Sequence, residues 1–102
     1  MTKALWNGTV IAESNKCQEV EGNLYFPSEA LRAEHFTDST TSTVCAWKGT
    51  ARYFNIVVDG AINYDAAWYY PDTKLAADHI KDCVAFWCGV KIGFPLCFTD
   101  YN

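Results

Sequence analysis

Cys45, Trp47 and Lys48 stand within four residues of one another in Thr43-Val44-Cys45-Ala46-Trp47-Lys48. An ammonium beside a thiol favours the thiolate, the nucleophilic form, so this is the first place where covalent chemistry can be sought. Free cysteine is also among the most buried residue types, which makes an inert thiol the competing reading. A base would have to come from His35 or His79, and nothing in the spacing brings either to Cys45. Asp65, an isolated carboxylate, completes the catalytic candidates with Cys45 and Lys48.

Binding chemistry makes fewer demands. Trp47, Tyr53, Trp68, Tyr69 and Tyr70 offer ring faces, while Glu21, Asn23, Lys48, Arg52 and Asp65 offer charges and hydrogen bonds. Pockets are mainly apolar with a few polar groups, so this set suits a small polar molecule such as a sugar, a nucleoside or an amine-bearing metabolite. The same rings also suit a β core, and the two readings coexist because a hairpin has two faces.

The elements that must position these residues centre on positions 43–70. Arg52 to Val58 is rich in aromatic and β-branched residues and ends at Asp59-Gly60, a type I′ hairpin signal. A two-residue turn sets Val58 opposite Ala61, Ile56 opposite Asn63, Phe54 opposite Asp65 and Arg52 opposite Ala67. That register makes Arg52 and Asp65 diagonal neighbours within bridging reach. A bulge would change the pairing beyond it.

Around this hairpin, Asn7-Gly8 marks another, between Lys3–Trp6 and Thr9–Ala12. Cys17–Val20 reads as a short strand and Glu21-Gly22-Asn23 as a turn. Pro27–Arg32 can start a short helix, and the hydroxyl-rich 37–43 suits turns or an exposed edge strand. Between Thr73 and Cys88, Ala76, Ala77, Ile80, Val84 and Trp87 recur at three- and four-residue spacing, which predicts a helix with Asp72 as N-cap and Gly89 as C-cap. Val90–Phe94 reads as a last strand, and Phe98 and Tyr101 suit the tail to docking or to a homodimer contact.

The chain has 102 residues, half of them hydrophobic, with a formal charge of -4. That predicts one domain over residues 1–102, of α+β class, mainly antiparallel β with one C-terminal helix. The acidic balance argues against nucleic-acid and anionic-membrane partners. Neither a secretory pattern nor a membrane-length apolar run occurs, so a cytoplasmic location is expected. Five cysteines, an odd number, point away from a disulfide framework. With no CxxC and two histidines, neither a metal nor another cofactor is expected.

Several stretches carry a family resemblance: KALWNGTVIAES at 3–14, EGNLYFP at 21–27, TVCAWKGTARY at 43–53, VVDG at 57–60 and DAAWYYP at 65–71. They resemble the domain of unknown function 427 family over about positions 3–90, with an atypical tail at 93–102 and Ala46 where the family usually has Pro. The resemblance implies a small, mainly β domain with a C-terminal helix, β-tent-like in one form, and carries a nucleotidyltransferase-like label. Such a transfer needs carboxylates that hold two Mg²⁺ ions, and the chain has no DxD and no glycine-rich phosphate loop. The leading expectation is therefore a small-molecule-binding domain. The alternatives are a nucleotidyltransferase-like or cysteine-dependent enzyme, and a homo-oligomeric interaction protein joined through its tail.

Overall fold

The computed structural model describes residues 1–93. Among them run nine strands: β1 (Thr2–Trp6), β2 (Thr9–Ser14), β3 (Gln18–Val20), β4 (Asn23–Tyr25), β5 (Phe36–Cys45), β6 (Gly49–Val58), β7 (Ala61–Tyr69), β8 (Val84–Phe86) and β9 (Lys91–Gly93). They form antiparallel sheets of order β2-β1-β9, β3-β4 and β5-β6-β7-β8. Short 3-10 turns occupy Ser28–Ala30, Ala33–His35 and Leu75–Ile80. No helix among the described residues is long and apolar enough to cross a membrane.

Local chemistry explains the hairpins. Asn7-Gly8, Glu21-Gly22 and Asp59-Gly60 each have positive φ at both residues, as a type I′ turn requires. Tyr25 and Phe26 point to opposite faces, as successive strand residues do. Phe26 exchanges backbone hydrogen bonds of 2.7 Å with Val84, so the small hairpin docks at the free side of β8.

Two cores result, one on each face of the four-stranded sheet. Ala4, Ile11 and Ala12 of the first sheet meet Ile56, Val58, Ala67, Val84 and Phe86, with Phe26 between them. On the other face Tyr25, Ala51, Tyr70, Ala77, Ile80 and Ala85 pack together, flanked by Tyr53 and Trp68.

The C-terminal helix expected over Thr73–Cys88 is absent. Its stripe is divided between the Leu75–Ile80 turn, which buries Ala77 and Ile80, and β8, in which Val84, Ala85 and Phe86 are all buried. A 3-10 turn eclipses residues three apart, so Ala77 and Ile80 satisfy a helix-like spacing without an α-helix. Positive φ at Asp82 and Cys88 breaks the run at both ends of β8. Pairing of Ala67 with Phe86, Trp68 with Ala85 and Tyr69 with Val84 covers an edge of β7 that a helix would leave open.

The β6–β7 register also departs from the ideal hairpin. Val58 faces Ala61 and Ile56 faces Asn63, but Phe54 then faces Ala67 and Arg52 faces Tyr69, so β7 carries two extra residues around Asp65. Asp65 has φ 53°, its N–H donates to the Asn55 side-chain oxygen at 3.0 Å, and its carbonyl accepts the Trp87 indole N–H. A matching irregularity lies in β5 between Asp38 and Ser42. There Ser39 and Thr41 hydroxyls donate to the Asp65 carboxylate, the latter at 2.8 Å. The Arg52–Asp65 bridge therefore does not form. Residues 37–43 are an exposed edge strand, and the docking or dimer contact expected of Phe94–Asn102 lies outside the described residues.

Candidate functional site

Lys48 ends the turn between β5 and β6, yet its side chain is buried, with 9% exposed. The turn is held from outside. Its Gly49 has φ +122°, and a Cβ there would lie 2.6 Å from the Asp72 carbonyl oxygen. Lys74 adds two bonds, from its backbone N–H to the Lys48 carbonyl at 3.1 Å and from Nζ to the Ala46 carbonyl at 2.6 Å. A clamped glycine turn thus drives a lysine inward.

That lysine enters a cleft of about 170 Å³. Tyr53, Trp68 and Tyr70 supply its wall from the large sheet, Asn23 and Tyr25 come from β4, and Trp87 closes one side. The Trp68 indole N–H donates to the Tyr25 hydroxyl at 3.2 Å, and the two rings meet edge to face. Trp87 stands edge to face against Trp68 with centroids 5.7 Å apart. The Tyr53 hydroxyl is 2.9 Å from the Thr43 hydroxyl.

The ammonium of Lys48 lies 4.9 Å from the Trp47 ring centroid and 5.8 Å from that of Tyr70. Glu21, on the exposed β3–β4 turn, pairs with it. Burial works against the ammonium's charge, but the Glu21 hydrogen bond with the fields of Tyr25 and Tyr70 outweighs it, holding the pKa above the ordinary value. Burial pushes the Tyr70 phenol up, with Lys48 pulling the other way. The Cys45 thiol is lowered, chiefly because the backbone N–H groups of Trp47 and Lys48 stabilise the thiolate.

The structure thus gathers Glu21, Asn23, Trp47, Lys48, Tyr53, Trp68 and Tyr70 of the binding candidates, with Cys45 beside them. It leaves out three. Asp65 is taken up by the strand bulges, and Arg52 is exposed in β6 on the Tyr69 side of the sheet. Tyr69 stacks on Phe54 at 4.7 Å in a separate cleft of about 290 Å³ shared with Asp38 and Asp82. Burial, then Asp38, raise its phenol's pKa against the pull of Arg52.

Sequence reasoning missed Tyr25 and Trp87. Tyr25 had a readable signal: in Leu24-Tyr25-Phe26, alternation sends the tyrosine and the phenylalanine to opposite cores, and a buried tyrosine needs a partner for its hydroxyl. Trp87 was hidden in the helical spacing. The histidines stay apart from Cys45: His35 donates through Nδ1 to the Val57 carbonyl at 2.9 Å, near the far end of β6, and His79 is exposed. Among the described residues no three His, Cys, Asp or Glu side chains are grouped as a metal-ligand set.

A comparison with curated proteins gave no match. A family model described as a domain of unknown function (DUF427) matches residues 1–93. Since that is nearly the whole chain, and includes every residue that builds the cleft, the protein belongs to the domain of unknown function 427 family.

Proposed function

We propose that the cleft binds a small polar molecule in a cytosolic setting, gripping it by ring faces and orienting it by a few polar groups. One observation carries this reading. Four stretches distant in sequence, around Asn23, Lys48, Trp68 and Trp87, converge on one concavity that holds a buried cation. The ammonium's partner is the largely exposed Glu21, so the cation lines the cleft with donor protons left for a ligand. The mixture of aromatic walls and few polar tips is that of ligand pockets in general.

Native mass spectrometry of the protein as purified, and after addition of nucleotides with Mg²⁺, tests the reading. A bound small-molecule mass, or a nucleotide adduct, is expected in the wild type and should disappear in Trp68→Ala, with the charge-state distribution of a folded protein kept. A mass retained equally by Trp68→Ala puts the ligand elsewhere and contradicts the proposal.

A further inference from the structure

The Lys48–Glu21 pair joins unlike partners. Lys48 is buried among rings, whereas the Glu21 side chain is 55% exposed and reaches it from a hairpin tip. An ammonium has three protons to donate, and among the described residues its hydrogen-bond partner is Glu21. The Asn23 amide lies in the same cleft and provides further donors.

Glu21 is also poorly suited to its backbone position. It holds φ 54° beside Gly22 at 81°, where Asn, Asp or Gly would sit with less strain. Such local strain is kept where a side chain has a task. Here the task is visible: Glu21 supplies the negative charge that the buried ammonium requires. An exposed carboxylate on a two-residue turn needs little rearrangement to leave.

We propose that Glu21 is an exchangeable counter-ion, and that the molecule taken by the cleft carries a carboxylate or phosphate group that replaces Glu21 on Lys48 while its ring packs against Trp68. This inference rests on the binding role of the cleft and names the ligand class. Glu21 then acts as a gate: neutral molecules leave the Lys48–Glu21 pair closed, and anionic ones open it. No covalent step is involved.

The test compares benzoate, a ring with a carboxylate, and benzamide, the same ring without charge. Both are titrated into wild type, Glu21→Gln and Lys48→Met while the indole N–H resonances of Trp68 and Trp87 are followed. Wild type should bind benzoate more tightly than benzamide. Glu21→Gln should bind benzoate roughly tenfold more tightly than wild type, since the ion no longer competes with a charge-assisted bond. Lys48→Met should bind the two compounds alike. Unchanged or weaker benzoate binding by Glu21→Gln overturns the exchange, as does equal binding of both compounds by wild type; in either case binding at the cleft stands. No shift with either compound in any protein overturns the binding reading and this inference together. Should Lys48→Met fail to fold, Glu21→Gln decides alone, since it alters an exposed side chain.

Discussion

The Trp68 indole N–H donates to the Tyr25 hydroxyl at 3.2 Å, and this bond ties the small β3–β4 hairpin to the centre of the four-stranded sheet. It fixes the ring that forms the middle of the cleft. It also leaves the hydroxyl proton of Tyr25 free to donate onward, since a phenol both accepts and donates.

Tyr25→Phe keeps the ring and removes the acceptor. The indole N–H is then left without its partner, at a cost of about 1–3 kcal/mol. Urea denaturation should show that loss, with the Trp68 indole resonance displaced. A variant as stable as wild type would mean that the bond contributes nothing to docking the hairpin.

Asp65 offers a sharper contrast, because a catalytic and a structural aspartate respond differently. Its carboxylate accepts from Ser39 and Thr41, and its backbone takes a positive φ that asparagine tolerates better than alanine does. Asp65→Ala should lose about 1–3 kcal/mol of stability, and Asp65→Asn distinctly less. Equal and negligible losses in both would show that the bulges stand without it.

Alkaline pH should weaken the fold. Burial raises the thiols of Cys17 and Cys83 above their ordinary 9.0 and the phenols of Tyr69 and Tyr70 above 10.0. Lys48 lies above 10.5 because its partners outweigh its burial. A group whose pKa is raised by folding contributes fully below the unfolded value, and that contribution is lost as pH rises through the folded value. Denaturation midpoints should therefore fall from about pH 9 upward, first with the thiols, then with the phenols and Lys48. A midpoint that climbs above pH 9 would contradict these shifts.

Cys45 moves the opposite way. Backbone N–H groups of Trp47 and Lys48 lower its pKa, while burial raises those of Cys17 and Cys83. Iodoacetamide at pH 8 followed by peptide mapping should therefore label Cys45 before Cys17 and Cys83. Labelling of Cys17 or Cys83 first would show that access, not thiolate fraction, governs the order.

What was legible depended on how local its cause was. Asn7-Gly8 and Asp59-Gly60 carry their own turn chemistry, so both hairpins and the pairing next to each turn could be read directly. The β7 bulge could not, because its causes are Asn55, Ser39 and Thr41, brought in from other strands. For residues 73–88 the periodicity of a helix was present, but cross-strand pairing with β7 prevailed over it. The site followed the same rule: rings and charges announced themselves by type, and alternation along β6 and β7 already put Tyr53, Trp68 and Tyr70 on one face, which the even, two-residue shift preserved, whereas the inward course of Lys48 was set by the clamped turn at Gly49.

The four indoles of the chain provide an internal comparison for ligand binding at the cleft beside Lys48. Trp68 and Trp87 line that cleft, whereas Trp6 lines another of about 330 Å³ near the Asn7-Gly8 turn. The most direct measurement records ¹H–¹⁵N spectra while a set of small polar aromatic fragments is added. At least one fragment should shift the Trp68 and Trp87 indole N–H signals together and saturably, leaving Trp6 in place. Shifts confined to Trp6, or none across the whole set, would contradict ligand binding at the cleft.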